Sequence, residues 1–266
     1  MGKDKKSVLN ALSHLVFYNG SYKLPVELVA VVASKGGDLW EYATKLKANV
    51  PAFSSLKILT NKELYSTDLG QVDLVISYLH PHRIKEPYIS SPTLGCINFH
   101  PAPLPRYRGV ACYSRAILNQ DTSYGVSCHF VDKEFDTGDI IEVRKFPIEV
   151  KEETAWSLEM ESMSLMQEMF EHIMASFLNE ERIPRTKQDS SVETFYTSIK
   201  DIDTLRMIED SDSEELIDRK ARAFFFPPFP GASFKSSPNT TVVSSGLLKV
   251  LQKDLNRYKD MLAGDY

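Results

Sequence analysis

Hydrophobic residues recur along the chain with two spacings, and together they indicate an α/β fold. Near-continuous apolar runs at Val26–Ala33, Val72–Ser77 and Cys96–His100 predict strands that are buried on both faces of a parallel sheet. Apolar residues at helical spacing predict helices over Ser7–Tyr18 and Leu39–Ala48. Because strands alternate with helices, we expect α/β architecture.

The pattern continues through the middle of the chain. Ala111–Asn119 fits a helix, while Gly125–Val131 and Ile140–Phe146 fit strands. A long helix is then predicted, with Thr154 as its N-cap and a broad apolar face from Trp156 to Phe177. The order of elements stays that of an α/β protein.

A polar connection over Ile183–Ser191 is the best candidate for a domain boundary. It predicts a catalytic domain over residues 1–185 and a small C-terminal extension over residues 186–266, which binds substrate or packs on the domain. The extension has a predicted helix over Ser213–Ala223. A helical stripe from Leu247 to Leu262 would pack on its own domain or, as the alternative, form a homodimer.

Charge and composition narrow the classes of partner. Residues 151–266 hold 14 Lys and Arg against 21 Asp and Glu, a sign that opposes nucleic-acid binding. No apolar run approaches the roughly 20 residues needed to cross a bilayer, so we expect a cytoplasmic protein without a membrane partner. Cys96, Cys112 and Cys128 have no metal-ligand spacing, and we interpret them as reduced packing residues.

Candidate chemistry is concentrated after the third predicted strand. Asn98 and His100 lie two residues apart, so both side chains project from one face at the carboxyl end of the strand. Three alternating prolines stiffen the loop that follows. Arg106 and Arg108 add positive charge to this loop, and Gly109 permits a turn or a close approach.

A downstream carboxylate completes the set. Asp136 lies in the turn Asp132–Asp139 after a predicted strand, from which it could reach His100. An amide donor, a histidine that moves protons and a carboxylate that holds this histidine are the groups needed for acyl transfer to an amine. Each residue alone would more often be structural, but the combination favours catalysis.

Three segments that contain these residues resemble, in order and spacing, the catalytic domain of 10-formyltetrahydrofolate-dependent formyltransferases. They are Cys96–Gly109, Ala116–Val126 and Phe135–Ile141. The resemblance covers about residues 26–180. It implies a Rossmann-like catalytic domain with a mostly parallel sheet, in which Asn98, His100 and Asp136 are the catalytic residues.

The resemblance also implies a mechanism and a folate site. Asn98 would stabilise the oxyanion, and His100 with Asp136 would manage protons, without a metal ion. The folate-binding residues it implies are Ser77, Tyr78, Leu79, His80, Ile84, Val131, Asp132, Phe135 and Asp136. A metal-binding pair of His80 and His82 is a poor alternative.

The C-terminal extension favours one acceptor. Its aromatic, proline-rich segment Phe224–Gly231 resembles the region after the core in sugar-nucleotide N-formyltransferases. We therefore expect a nucleotide-linked amino-dideoxy sugar as acceptor. The substrate-binding residues would be Arg106, Arg108, Gly109, Phe224, Phe226 and Phe229. Alternatives are that these phenylalanines only pack, that the acceptor is methionyl-tRNA or another amine, or that the protein is a non-catalytic folate-binding scaffold.

The N-terminus departs from the family pattern. The resemblance implies a strand before the first helix, yet here this helix starts within a few residues of Met1. We expect either a missing upstream segment or a central strand that is supplied differently, because an unpaired sheet edge in the core would be costly.

Overall fold

The computed structural model describes residues 1–2, 5–21 and 26–253. The chain groups into two compact units, each made of three segments. The first unit comprises Met1–His100, Ser127–Val143 and Leu165–Gln188, and the second comprises Pro101–Val126, Arg144–Ser164 and Asp189–Tyr266. The functional boundary between residues 185 and 186 stays a prediction.

The described residues contain the following elements. The helices are α1 (Lys6–Ser21), α2 (Asp38–Asn49), α3 (Asn61–Leu64), α4 (Cys112–Leu118), α5 (Ala155–Leu178), α6 (Ile199–Arg206), α7 (Glu214–Ala223) and α8 (Ser245–Lys253). The strands are β1 (Ala30–Val32), β2 (Lys57–Leu59), β3 (Leu74–Tyr78), β4 (Gly95–His100), β5 (Tyr107–Gly109), β6 (Ser123–Phe130), β7 (Ile140–Pro147), β8 (Phe195–Thr197), β9 (Met207–Ile208) and β10 (Ser233–Phe234). Short 3-10 helices cover Pro51–Phe53 and Val150–Glu152.

The main sheet of the first unit is mixed, so the prediction of a mostly parallel sheet is wrong for it. Its strand order is β3-β4-β6-β7. β3 and β4 are parallel, whereas β4 and β6 are antiparallel and pair Ile97 with Phe130 and His100 with Ser127. A continuous apolar run indicates that a strand is buried on both faces. It does not indicate whether the strand runs parallel or antiparallel to its neighbours. β1 and β2 form a separate parallel pair.

Met1 and Gly2 occupy the position where the resemblance implied a strand. On one side, the Met1 ammonium donates to the Ile76 carbonyl at 2.8 Å, and the Tyr78 amide donates to the Met1 carbonyl at 2.9 Å. On the other side, the Gly2 amide donates to the Val32 carbonyl at 3.3 Å. These two residues therefore bond to both β1 and β3, and the choice between the two expectations stays a prediction.

Most predicted elements agree with the structure within a few residues. The exception is the first strand, which was predicted over Val26–Ala33 and is limited to β1. The N-cap of α5 is confirmed, because the Ser157 amide donates to Oγ1 of Thr154 at 3.0 Å. The helical stripe predicted from Leu247 to Leu262 is confirmed for its first part by α8, and residues 254–262 lie outside the described residues.

Each unit has its own core. In the first unit, Val75 and Cys96 pack on one face of the sheet. On the opposite face Phe99 contacts Phe170 of α5, with ring centroids 5.2 Å apart. The second unit is centred on buried residues that include Tyr107, Tyr113, Tyr124, Ala223 and Phe224.

The three cysteines are buried thiols outside any disulfide, as predicted. Burial raises the pKa of the Cys96 thiol to about 12, and burial also raises the pKa of Cys128 well above its ordinary value. In the described ranges, none of the helices has the length and apolar character that a membrane span requires.

Candidate active site

One face of the main sheet changes from apolar to polar toward the carboxyl ends of β3 and β4. Strand register pairs Ser77 with Asn98, and Asn98 with His129 of β6. Paired residues on neighbouring strands share a face, so these three side chains form a polar row across three strands. His100 pairs with Ser127 in the next row. His100, His129, Ser77 and Ser127 are all buried.

Asp136 reaches this polar row from the loop after β6. Its Oδ1 lies 3.7 Å from Nδ1 of His100 and 3.5 Å from Nδ2 of Asn98. The same oxygen is 3.5 Å from Nε2 of His129. The Asp136 side chain is only 11% exposed. The structure thus brings Asn98, His100 and Asp136 together, as the sequence predicted, and adds His129.

The loop that carries Asp136 has special backbone geometry. We call residues Val131–Asp139 the Asp136 loop. Asp136 itself has φ +56°, a left-handed conformation that is uncommon for residues other than glycine. Gly138 passes so close to β6 that an added Cβ would lie 1.8 Å from the Phe130 carbonyl oxygen. Only glycine fits at this position without a shift of the backbone.

Side chains inside and outside the loop hold this conformation. Oδ1 of Asp132 accepts hydrogen bonds from Oγ1 of Thr137 at 2.6 Å and from the Glu134 amide at 3.2 Å. From outside the loop, Nε2 of Gln188 donates to the carbonyls of Asp136 and Gly138, at 2.9 Å each. The position of Asp136 therefore depends on a residue 52 positions away in sequence.

His129 was not predicted as a site residue. Its Nδ1 is 2.7 Å from the carbonyl oxygen of Phe130, and its Nε2 is 3.1 Å from Nδ2 of Asn98. The sequence contained a signal, because Ser127 and His129 alternate with Val126, Cys128 and Phe130 in a buried strand. Two polar residues on one face of such a strand are unusual and mark a face with a polar function.

The arrangement has the properties of a proton-handling site. The separation of 3.7 Å between Asp136 and Nδ1 of His100 is an ion-pair distance, longer than a hydrogen bond. A carboxylate on this side favours a proton on Nδ1, which leaves Nε2 as the basic nitrogen. The Asn98 amide nitrogen beside it is a hydrogen-bond donor for an oxygen that gains negative charge.

Comparison with known proteins identifies the family. Residues 12–172 match the formyl transferase family, which is more than half of the chain. The chain belongs to the formyl transferase family. A methionyl-tRNA formyltransferase of Lysinibacillus sphaericus is 31% identical over 157 residues, which is 59% of this chain and 50% of that protein. A GDP-perosamine N-formyltransferase of Brucella melitensis is 30% identical over 163 residues, 61% of each protein.

A solved structure resembles this chain over more than residues 12–172, the region that matches the family. The N-formyltransferase from Helicobacter canadensis, in complex with folinic acid and dTDP-3-aminofucose, superposes with a TM-score of 0.67. The alignment covers 88% of this chain and 82% of that chain, at 23% identity. At this identity the match shows the fold alone. The matched region spans between half and about three fifths of the curated formyltransferases named above.

The residues that the formyltransferase resemblance assigned to folate have different environments. Ser77 shares the face of Asn98, whereas Tyr78 lies on the opposite face, 5.4 Å from the Phe99 ring. Strand alternation turns the Tyr78 side chain away from the face of Asn98, and its role in folate binding stays a prediction. Leu79 has φ +56°, and Ile84 packs in the core of the first unit.

The remaining predicted folate residues are His80 and four members of the Asp136 loop. Nε2 of His80 is 3.3 Å from Oδ1 of Asn61. Phe135 is 43% exposed, and the Arg83 guanidinium lies 5.6 Å from the centre of its ring. Val131 donates its amide to the Cys96 carbonyl at 2.8 Å, so it ties the start of the loop to β4. Across the described residues, no group of His, Cys, Asp and Glu could hold a metal ion.

The predicted acceptor residues all belong to the second unit. Arg106 makes two hydrogen bonds of 2.8 Å to the two carboxylate oxygens of Asp121, and this pairing raises its pKa. Arg108 and Gly109 lie on β5, which pairs with β8. Gly109 has φ +82°, and an added Cβ would lie 2.2 Å from the Thr197 carbonyl oxygen. The close approach predicted at Gly109 is to its own chain.

The aromatic segment has both packed and exposed members. Phe224 is buried in the core of the second unit, so packing accounts for it. Phe226 stacks on Tyr113, with ring centroids 6.2 Å apart and an angle of 14° between the planes. Phe229 is 66% exposed. The buried Arg222 beside this segment is paired with Asp218 at 3.0 Å.

Proposed function

We propose that the chain transfers a formyl group from 10-formyltetrahydrofolate to the amine of a nucleotide-linked amino sugar. The observation that carries the chemistry is the cluster of Asn98, His100 and Asp136 at one edge of the sheet in the first unit. Membership in the formyl transferase family supports the same reaction class.

The first unit has suitable residues for the folate donor. A pterin ring is bound by apolar or aromatic surface together with a few backbone hydrogen bonds. Phe135 offers an exposed ring next to Asp136, and the backbones of Leu79 and the Asp136 loop are held in unusual conformations. These residues, with Ser77 and His80, would hold the donor. When bound, 10-formyltetrahydrofolate supplies the formyl group.

Each catalytic side chain has one task in this proposal. Nδ2 of Asn98 donates a hydrogen bond to the formyl oxygen as negative charge develops there. Nε2 of His100 accepts a proton from the attacking amine and returns a proton to the departing nitrogen. Asp136, 3.7 Å from Nδ1 of His100, stabilises the positive charge that the imidazole carries between these two transfers.

Two observations support a sugar nucleotide as acceptor. The similarity of fold to the Helicobacter canadensis N-formyltransferase, a protein solved with dTDP-3-aminofucose, covers 88% of this chain and includes most of the second unit. In addition, residues 151–266 carry more acidic than basic side chains. Binding of transfer RNA depends on basic residues that neutralise phosphates, so this charge disfavours it.

Methionyl-tRNA is the second candidate acceptor, because one methionyl-tRNA formyltransferase is 31% identical to this chain. That match covers 59% of the chain, whereas the match of fold to the Helicobacter canadensis N-formyltransferase covers 88%. A non-catalytic folate-binding scaffold is the third reading, and the complete catalytic cluster disfavours it.

An acceptor panel tests these alternatives. Purified protein is incubated with 10-formyltetrahydrofolate and either dTDP- or GDP-linked amino sugars or methionyl-tRNA, and tetrahydrofolate formation is followed by absorbance. We expect turnover with at least one sugar nucleotide, and loss of it in His100→Asn. His172→Asn is a matched control, because His172 is exposed and pairs with Glu142.

The three hypotheses predict different results in this panel. Turnover with methionyl-tRNA alone would refute the sugar acceptor. Folate binding without turnover on any amine would favour the scaffold. Equal turnover in His100→Asn and wild type would refute the assignment of the catalytic site.

A further inference from the structure

We infer that His129 is a positioning residue that fixes the orientation of the Asn98 amide, and this inference rests on the proposed function. His129 is 2% exposed and lies beside Asn98 on the paired strand β6. Its Nε2 lies 3.1 Å from Nδ2 of Asn98, the group that is proposed to bind the formyl oxygen. It therefore acts through the amide that its ring touches.

The hydrogen bonds of His129 assign its tautomer. Nδ1 is 2.7 Å from the Phe130 carbonyl oxygen, which accepts hydrogen bonds and never donates them. Nδ1 must therefore carry a proton. In the neutral ring Nε2 then has a lone pair. It accepts a hydrogen bond from Nδ2 of Asn98 at 3.1 Å, a shorter contact than the 3.5 Å between Nε2 and Oδ1 of Asp136.

This acceptor determines which end of the Asn98 amide faces the site. An amide can rotate by 180° and exchange its oxygen for its nitrogen, with little change in shape. The flipped amide would place its one oxygen where Nδ2 lies, 3.1 Å from the lone pair of Nε2 and 3.5 Å from Oδ1 of Asp136. His129 and Asp136 thus both favour the orientation in which Nδ2 of Asn98, and not its oxygen, faces them.

The orientation leaves one N–H for the reaction. The first hydrogen of Nδ2 is used by the 3.1 Å bond to His129. The second faces Oδ1 of Asp136 at 3.5 Å, the outer limit of a hydrogen bond. A formyl oxygen that gains negative charge takes over this weakly held N–H. A rotated Asn98 would present its oxygen there and repel the developing charge.

Three variants separate positioning from a general effect of the histidine. His129→Met keeps a similar volume and removes the acceptor, so we expect kcat to fall about tenfold or more with KM for the acceptor little changed. His129→Gln can place its side-chain oxygen where Nε2 lies, and it should recover most of this loss. His172→Met, which alters an exposed histidine, should keep wild-type kcat.

A spectroscopic measurement does not depend on turnover. The chain has six histidines, so the long-range ¹H–¹⁵N spectrum of ¹⁵N-histidine-labelled protein is tractable, and loss of one signal set in His129→Gln assigns His129. We expect a protonated Nδ1 and an unprotonated Nε2 in the wild type. A proton on Nε2 of the assigned His129 would overturn the inference, whatever the kinetic results.

The outcomes distinguish this inference from the proposed function. If wild-type protein transfers formyl and His129→Met keeps wild-type kcat, the positioning role is refuted while the function stands. If wild-type protein transfers formyl to no acceptor, the function is refuted, and the spectrum still tests the tautomer. Equal losses in His129→Met and His129→Gln would show that shape matters rather than the acceptor, which also contradicts the inference.

Discussion

Replacement of Gln188 by leucine removes both hydrogen bonds that hold the Asp136 loop from outside. In the wild type, Nε2 of Gln188 donates to the carbonyls of Asp136 and Gly138 at 2.9 Å each. A hydrogen bond of this kind contributes about 1 kcal/mol net, so the loop conformation loses about 2 kcal/mol relative to its alternatives. Asp136 has φ +56°, which already disfavours this conformation intrinsically.

The loss is expected to appear in catalysis. A shift of about 2 kcal/mol lowers the population of the competent loop by roughly 30-fold if the alternatives become dominant, since about 1.4 kcal/mol corresponds to a factor of ten. We expect kcat/KM of Gln188→Leu to fall between about fivefold and 30-fold. Formyl transfer to the acceptor identified in the panel gives this value directly.

Two further variants make the test specific. Gln188→Glu has nearly the same shape but turns an oxygen toward two carbonyl oxygens, so its loss should exceed that of the leucine variant. Gln71→Leu is the matched control, because Gln71 is exposed and makes one long hydrogen bond of 3.4 Å to Val72. Wild-type kcat/KM in both Gln188 variants would refute the role of Gln188 in placing Asp136.

Three other predictions concern stability and thiol reactivity. Gly109→Ala should lower the free energy of unfolding by about 2 to 4 kcal/mol in urea titrations, because φ is +82° and Thr197 is too close for a Cβ; an unchanged midpoint would contradict the close approach. Asp121→Asn should cost about 1 to 3 kcal/mol by the same method, because it weakens the paired bonds to Arg106, and no loss would mean that this pair is not formed. Cys96, whose pKa is raised to about 12 by burial, should not react with a thiol reagent at pH 8 until the chain is unfolded, and rapid labelling of the native protein would disprove its burial.

Sequence patterns predicted the elements of the fold better than their pairing. Helical spacing located α2 and α5 closely, because a broad apolar face needs many residues that agree. The first strand was predicted too long, since an apolar run beside Val26 looks the same whether or not its backbone pairs. The sequence pattern also does not indicate the direction of a strand relative to its neighbours. For this reason β6, which is antiparallel to β4, was predicted as part of a mostly parallel sheet.

In the candidate site, too, relations within one strand could be predicted, whereas contacts between residues far apart in sequence could not. Asn98 and His100 could be predicted because their relation is set within one strand. Gln188 could not, because its contact with the Asp136 loop joins residues 52 apart and depends on tertiary packing. His129 carried a local signal in a polar position of a buried strand, but its meaning depends on the register with β4.

Formyl transfer by wild-type protein and His100→Asn is the most direct test of the central claim that Asn98, His100 and Asp136 form the catalytic site. Both proteins are assayed with 10-formyltetrahydrofolate and the best sugar-nucleotide acceptor, after thermal unfolding shows that the variant is folded. We expect kcat/KM to fall by about 10²- to 10⁴-fold in His100→Asn, the range that a general base contributes. Equal values in the two folded proteins would contradict the account.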